Sequence, residues 1–411
     1  MKAFYSLIKE SRIYYLNSIS SYVYAFAFTV LGARYLGKES WGTLLFYTSL
    51  SMLIGVLIEY GAGIYGVRVI SLCKNDPEKR TKVWNAIHSI KPTLIFLTAL
   101  GLVLFYLFFK KDDALFLWSA IAFLTGLANG LNSSWFLQST KGYDRYVVFE
   151  FFIKLLGSSL FILSYYYFPN ALLIYSLALS ISLFCCFTSF QLSRDQLVKE
   201  MHHKANVYEQ LKVSFPEFTL RISIAIFVQL NAITLGLLGN VELVATFGGG
   251  EKIVRALFSI IVPLSQYFFV QLCSHEFGKN RPLEIWSERI LFGSSLLIAI
   301  GAYFSSEWLV RLLLGNKMID SIEILKMMVW LMPASALNYI WGLNYWVRIG
   351  KSFVFSITTV FSSLLCLFLA YIFVHRWGVT GMAFSVIAAE WFCACLLGVL
   401  KLLYQKRYAS Q

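Results

Sequence analysis

Charged side chains are scarce in this sequence, and their scarcity excludes a water-soluble protein. Asp, Glu, Lys and Arg make up 14% of the 411 residues, whereas 58% are hydrophobic and the mean hydropathy is +0.67. Soluble domains carry about 25% charged residues. A large part of the surface of this protein must therefore face lipid. Twelve spans of about 20 apolar residues would use about 240 positions. Such spans nearly exhaust the hydrophobic residues and leave no room for a soluble catalytic domain.

The sequence also lacks the residue spacings that metal binding or catalysis needs. None of its seven cysteines stands in a CxxC or Cys/His ligand spacing, and we interpret them as small buried hydrophobic residues. No Ser/His/Asp order, zinc motif or DxD pair is present. These absences predict a protein that is not an enzyme and that has no metal or other cofactor.

Long apolar runs are what the sequence does contain. They predict an all-α polytopic membrane protein with about 12 transmembrane helices, in an N-terminal six-helix lobe (1–192), a cytoplasmic linker (193–212) and a C-terminal six-helix lobe (213–411). The predicted spans are residues 13–32, 44–65, 87–109, 115–137, 147–168, 172–192, 215–238, 243–272, 290–313, 322–347, 353–374 and 379–403.

Positive charge is concentrated in alternate connections between these spans. The sequence has 35 Lys and Arg against 22 Asp and Glu, a net charge of +13. Counted with the adjoining ends of the spans, the two termini and every second connection hold 22 of the cations, while the opposite connections hold seven. Cations accumulate on the cytoplasmic side of membrane proteins. We therefore predict that both termini are cytoplasmic, and that the excess reports topology and not nucleic-acid binding.

Three short matches recur at an offset of about half the chain. The offsets are 206, 204 and 202 residues. Their order predicts a duplicated six-helix unit, and because six spans is an even number, the two lobes would run parallel, as in many carriers. The matching segments are Trp135–Gln138 with Trp341–Asn344, Ser158–Leu160 with Ser362–Leu364, and Leu36-Gly37 with Leu238-Gly239.

The other six cations lie within or at the margin of predicted spans. A charge near the centre of the bilayer costs on the order of 3 kcal/mol of insertion free energy. Acidic residues at helical spacing predict local ion pairs for four of them. The alternative is a cationic cavity wall that binds the phosphate of an amphipathic substrate, for which Lys252 and Arg255 are the best candidates. The cations are Lys91, Lys154, Arg221, Lys252, Arg255 and Lys326, and the predicted pairs are Glu150–Lys154, Glu217–Arg221, Glu251–Arg255 and Glu323–Lys326.

Carboxylates and amides within the spans complete the candidate sites. Glu59 and Glu390 have no cation at helical spacing, and together with Glu150 they are candidates for proton or sodium coupling. The alternative is that such carboxylates lie at the interface or cap a neighbouring helix. Amides are suited to sugar hydroxyls or to contacts between helices. The candidate substrate-binding residues are Lys154, Arg221, Lys252, Arg255, Asn132, Gln138 and Asn231.

Four segments in order along the chain match a known pattern. They are Ala33–Gly42 after the first span, Trp135–Gln138 with Lys154, Leu312–Gly315 with Gly350, and Gly378–Ala383 with Glu390. Together they resemble polysaccharide transporters of the multidrug/oligosaccharidyl-lipid/polysaccharide (MOP) exporter superfamily. The pattern positions are Arg34, Gly37, Gly42, Trp135, Gly378 and Gly381.

The resemblance implies a fold, a function and a location. It implies two six-helix lobes around a central cavity in a bacterial inner membrane. For the O-antigen flippase branch it implies that undecaprenyl-pyrophosphate-linked oligosaccharide moves from the cytoplasmic to the periplasmic leaflet by alternating access. Membrane lipid, a polysaccharide polymerase and a chain-length regulator would be partners. Embedded cations and amides suit a substrate whose sugar and phosphates need shelter from hydrocarbon.

Two other functions stay open from sequence alone. A drug or cation antiporter of the same superfamily would favour a cavity with more acids than bases, and the embedded cations point the other way. The second is an integral membrane O-antigen polymerase or acyltransferase. A polymerase would present a large periplasmic loop with paired basic residues, whereas outward connections such as Pro169–Ala171 are short.

Overall fold

The structure, a computed structural model, describes residues 2–73, 76–108, 113–140, 142–198, 206–273 and 281–409. Every regular element in these ranges is helical, and the predicted all-α fold class is confirmed. A 3₁₀ turn at Asn316–Met318 and a π-helical segment at Asn338–Val347 accompany the α-helices. The α-helices are α1 (Lys2–Tyr35), α2 (Lys38–Glu59), α3 (Ala62–Leu72), α4 (Pro77–Ser89), α5 (Lys91–Phe108), α6 (Asp113–Leu131), α7 (Ser134–Gln138), α8 (Tyr143–Tyr167), α9 (Ala171–Arg194), α10 (Val207–Leu238), α11 (Val241–Phe258), α12 (Val262–Cys273), α13 (Arg281–Phe304), α14 (Ser306–Leu313), α15 (Ser321–Met328), α16 (Leu331–Leu337) and α17 (Ser352–Ala409).

Six helical stretches within the described ranges are long and apolar enough to cross a membrane. The remaining predicted spans also coincide with helices, such as α6 and α10. The polytopic membrane class follows from these helices, while the number of twelve spans stays a prediction. The six stretches are Lys38–Ser71, Pro77–Leu104, Tyr143–Tyr167, Ala171–Arg194, Arg281–Phe304 and Ser352–Lys406.

Several of the predicted spans are divided between two helices, among them the spans 44–65 and 115–137. Helix α2 ends at Glu59, the next residues Tyr60 and Gly61 take φ angles of 50° and 73°, and α3 then begins. A second span is interrupted where α6 ends at Leu131 and α7 begins at Ser134. Each interruption frees backbone carbonyls and amides, which need partners inside the protein because lipid offers none.

The helices group into two compact units. One comprises Met1–Leu36 with Tyr47–Ala225, and the other comprises Gly37–Phe46 with Ile226–Gln411. The division falls within α10. The lobe boundaries derived from the sequence stay a prediction, and residues 199–205 of the predicted linker lie outside the described ranges.

Buried tyrosines tie the helices of the first unit together. The Tyr165 hydroxyl donates a hydrogen bond of 2.7 Å to the Phe28 carbonyl, and the Tyr175 hydroxyl donates one of 2.8 Å to the Tyr47 carbonyl. Both rings are fully buried, and a buried hydroxyl needs such a partner. These bonds hold α8 against α1 and α9 against α2.

Small residues let α11 approach α15 closely in the second unit. Gly249 and Gly250 are buried, and a β-carbon at Gly250 would lie 2.9 Å from the Leu325 amide. Across the same contact the Ser321 hydroxyl donates a hydrogen bond of 2.9 Å to the Thr246 carbonyl. Close approach through glycine, with a serine bond between the helices, is a usual form of packing in membranes.

Candidate functional site

The interruption between α2 and α3 and the interruption between α6 and α7 meet at one buried lysine. The Lys91 ammonium donates hydrogen bonds of 2.7 Å to the Ile58 carbonyl, 3.1 Å to the Glu59 carbonyl and 3.0 Å to the Gly130 carbonyl. These carbonyls lie at the carboxyl ends of α2 and α6, where helix dipoles are negative and carbonyls lack intrahelical partners. Because an ammonium has three donors, it satisfies all three carbonyls. Lys91 therefore joins the two interruptions.

The Glu59 side chain lies at the start of α3 and faces Arg221. Its Oε1 accepts a hydrogen bond of 2.9 Å from the Gly63 backbone amide, and its Oε2 lies 2.7 Å from Nη2 of Arg221. Glu59 has no cation at helical spacing, and the structure supplies one from another helix. Its cation comes from α10, which is distant in sequence, and helical spacing cannot reveal such a partner.

The prediction that Glu217 pairs with Arg221 is wrong. Glu217 lies 2.7 Å from Nη2 of Arg68, which α3 carries. Helix α10 packs directly on the interruption of the second span, where the Tyr60 ring stacks on Phe218 with 4.2 Å between ring centroids. Because of this contact, each ion pair forms between helices instead of along α10.

A cavity of about 340 Å³ lies in the first unit beside these ion pairs. The Arg221 side chain is 44% exposed, whereas that of Glu59 is 15% exposed, so the guanidinium keeps donors free beyond its pair. Amides supply further polar groups. A wall with one partly free cation and several amides suits an anionic or hydroxyl-rich ligand. The cavity is lined by Glu59, Gly63, Ile64, Asn129, Asn132, Ser134, Trp135, Gln138 and Arg221.

The interruption between α6 and α7 holds Asn132 in one orientation. Its Nδ2 donates a hydrogen bond of 3.1 Å to the Tyr146 hydroxyl, and its Oδ1 accepts one of 2.9 Å from the Ser134 amide. Gln138 is exposed on the same wall. Of the predicted site residues, the structure thus brings Asn132, Gln138, Arg221 and Glu59 together.

A second group of predicted residues lies in the second unit. Nη2 of Arg255 is 2.8 Å from Oε1 of Glu251, which confirms that predicted pair. Glu390 accepts hydrogen bonds of 2.6 Å from the Ser335 hydroxyl and 3.1 Å from the Asn338 amide, and it interacts electrostatically with Arg255. Glu390 therefore has both polar partners and a nearby cation, neither at helical spacing from it.

The remaining candidates have individual surroundings. Nζ of Lys154 is 2.7 Å from Glu150 Oε1, which confirms that pair, and it donates a hydrogen bond of 2.9 Å to the Ser21 hydroxyl. Asn231 is buried in the second unit, near the Cys366 thiol. Within the described ranges Lys252 forms no ion pair. Lys252 and Arg255 therefore differ, because only Arg255 is engaged by a carboxylate.

The pattern positions divide into packing residues and exposed ones. A β-carbon at Gly42 would overlap the Val241 backbone, and Gly381 lies against the Phe373 carbonyl. Gly378 has φ 56° and ψ −128°, and this turn separates two helical halves of α17. Gly37 has no atom within 4 Å of a β-carbon position. Arg34 is exposed in the last turn of α1, and Trp135 is buried against Gly66.

A family model places the chain among known proteins. The family described as polysaccharide biosynthesis protein matches residues 7–269, well over half of the sequence. The chain belongs to this family. One relative is a protein from Shigella dysenteriae that is named as an O-antigen transporter. It is 24% identical to this chain over 391 residues, which cover 93% of this chain and 96% of the relative.

Solved structures of other proteins have a fold similar to that of this chain. An inward-facing multidrug resistance MATE family transporter of the MOP superfamily matches with a TM-score of 0.69 and 18% identity, over 94% of this chain and 95% of the other. The lipid II flippase MurJ, in an inward closed conformation, matches with a TM-score of 0.69 and 14% identity, over 93% and 86%. The predicted resemblance to the MOP superfamily is confirmed.

Proposed function

We propose that this protein is a flippase for undecaprenyl-pyrophosphate-linked oligosaccharide, such as an O-antigen repeat unit, and that it works by alternating access. Membership in a polysaccharide biosynthesis family, a relative named as an O-antigen transporter, and a fold shared with a lipid II flippase support transport of a polysaccharide precursor. Transport needs no covalent chemistry. Within the described ranges no group of three His, Cys, Asp or Glu residues is placed to hold a metal ion.

The observation that carries the proposal is the polar cavity at the two interrupted helices. Discontinuous membrane helices commonly form substrate sites, because their ends supply free backbone dipoles within the membrane. Here the interruptions place Arg221 and several amides beside one cavity. In the proposed function Arg221 binds a pyrophosphate oxygen, and Asn129, Asn132 and Gln138 bind sugar hydroxyls.

The Glu59–Arg221 pair gives this site a means of release. A substrate phosphate competes with Glu59 for the guanidinium, and Glu59 recovers its partner when the substrate leaves. Glu59, Glu150 and Glu390 are proposed to couple transport to an ion. Lys154, Lys252, Arg255 and Asn231 are proposed as further substrate contacts. The protein would lie in the inner membrane with cytoplasmic termini and act before a polymerase and a chain-length regulator.

Gene deletion in the host tests this function directly. We expect long surface polysaccharide to disappear and lipid-linked repeat units to accumulate in the cytoplasmic leaflet. If single repeat units instead reached the outer face without being polymerised, the protein would be a polymerase. Normal surface polysaccharide together with increased drug sensitivity would identify an antiporter.

Complementation of the deletion with site variants tests the cavity. We expect Arg221→Gln to lose most surface polysaccharide at normal membrane abundance, and Arg221→Lys to recover part of it. Arg68→Gln is the matched control, because Arg68 also forms an ion pair between helices, with Glu217 of α10, but does not line the cavity. Equal polysaccharide from the two glutamine variants would remove Arg221 from the proposed site.

A further inference from the structure

A larger cavity of about 650 Å³ lies in the second unit, between the start of α13 and the end of α17. We call it the α13–α17 groove. The site proposed above does not include this groove. Its charged lining residues include Arg281, Glu284, Glu288 and Lys401. The apolar part of its wall includes Trp341, Trp391, Val399 and Leu402. The groove is therefore amphipathic, with polar groups near the helix ends.

The carboxylates of the groove are already neutralised. Oε1 of Glu284 lies 2.6 Å from Nη1 of Arg348, and Oε1 of Glu288 lies 2.7 Å from Nζ of Lys401. Arg281 is exposed and forms no ion pair within the described ranges. Among the described residues Arg281 is therefore the charged lining residue that lacks an ion pair, and an anionic group would complete the charge balance at this end of the groove.

The apolar wall is held open by its own contacts. The Trp391 Nε1 donates a hydrogen bond of 3.1 Å to the Trp330 carbonyl. The Trp341 ring packs flat against Gly398, where a β-carbon would lie 2.9 Å from the ring. These contacts fix one side of each indole that lines the groove.

At the offset of the predicted internal repeat, the first unit carries large aromatic rings. There the Trp84 ring lies 3.7 Å from that of His88 and 5.5 Å from that of Phe190, measured between centroids. At the offset of the internal repeat, Glu288 stands 204 residues after Trp84, and Cys395 stands 205 residues after Phe190. At these two positions the second unit carries Glu288 and Cys395, which both line the groove, where the first unit carries large rings.

We propose that the α13–α17 groove binds one bilayer phospholipid with an anionic headgroup. The phosphate contacts Arg281, and the first part of an acyl chain lies on Trp341 and Trp391. A volume of about 650 Å³ holds a headgroup and part of a chain, and the rest of the lipid stays in the bilayer. The charged end is at the predicted cytoplasmic ends of α13 and α17, where anionic lipids are enriched and basic pockets between helices bind them.

Lipid titration of the purified full chain tests this assignment. Native mass spectrometry in detergent would count retained phosphatidylglycerol and, separately, phosphatidylcholine. We expect one tightly held phosphatidylglycerol and a clear preference over phosphatidylcholine. Arg281→Gln should weaken phosphatidylglycerol about fivefold, the effect of one cation near a lipid phosphate. Cys395→Phe adds a ring to the groove wall. This variant should no longer retain phosphatidylglycerol, because the ring fills the groove.

Two control variants lie on the same helices outside the groove. Arg289→Gln removes an exposed cation of α13, and Leu403→Phe adds a ring on the exposed face of α17. Both should bind phosphatidylglycerol as the unaltered protein does. Undiminished retention by Cys395→Phe, or equal loss in the control variants, would overturn the proposal. Preferential retention of undecaprenyl phosphate would overturn the assignment to a phospholipid, whether or not transport itself is confirmed.

Discussion

At the scale of single residues, Lys91 is the side chain on which the geometry of the first unit most depends. Its ammonium holds three carbonyls from two helix ends, and its surroundings are buried. Replacement by methionine keeps a similar length but leaves those carbonyls without a donor. Since unsatisfied buried acceptors cost about 1–3 kcal/mol each, Lys91→Met should lower the free energy of unfolding by on the order of 3 kcal/mol. The unfolding temperature in detergent measures this loss.

Lys79→Met is the comparison for Lys91→Met. The Lys79 ammonium has a side-chain partner instead, Asp76 at 3.2 Å, and its side chain is 68% exposed. Exposed ion pairs contribute about 0–1 kcal/mol, so this variant should unfold near the temperature of the unaltered protein. Equal unfolding temperatures for the two variants would show that the Lys91 contacts do not stabilise the interruptions.

At the scale of helices, periodicity and hydropathy predict where helices lie but not where they are interrupted. The apolar run 44–65 contains Glu59 and two later glycines but no proline or polar segment, so hydropathy carries it through position 59 without a break. The interruption depends on Lys91 and α10, which lie far along the sequence. For the same reason helical spacing correctly predicts Glu150–Lys154 and Glu251–Arg255, which stay on one helix, and misses the partners of Glu59 and Glu217.

The interruption of the second span requires glycine at position 61. Its φ is 73°, and a β-carbon there would lie 2.7 Å from the Phe218 amide nitrogen of α10. A left-handed conformation costs a residue with a side chain about 1–2 kcal/mol, and overpacking adds about 1–3 kcal/mol. Gly61→Ala should therefore destabilise the protein by about 3 kcal/mol and reduce surface polysaccharide. Both unfolding temperature and polysaccharide would be measured.

Gly37→Ala is the control for the variant at position 61. Gly37 is also a glycine next to a helix, but its β-carbon position has no atom within 4 Å and its φ is not positive. This substitution should change neither stability nor polysaccharide. A Gly61→Ala protein as stable as Gly37→Ala would mean that the interruption tolerates a side chain and that α10 adjusts to it.

At the scale of the whole molecule, the two units differ in the cavities that they contain. The first unit keeps a polar cavity at two helix interruptions and fills the space around Trp84 with rings. The second unit opens the space around Trp341 and buries its ion pair between Glu251 and Arg255. The sequence predicts the repeat from short matches. It does not predict these cavities, because each depends on side chains from three or more helices.

The charge distribution of the whole chain makes a prediction about topology that also tests the count of spans. Cations concentrate in the termini and alternate connections, so both termini should be cytoplasmic and the connection between α8 and α9 periplasmic. Alkaline phosphatase inserted after Pro169 should be active, since the enzyme folds only outside the cytoplasm. Phosphatase fused after the last residue should be inactive. Green fluorescent protein fused after the last residue should fluoresce. Phosphatase activity at the carboxyl terminus would require an odd number of spans if the amino terminus is cytoplasmic, and the twelve-span prediction would then be wrong.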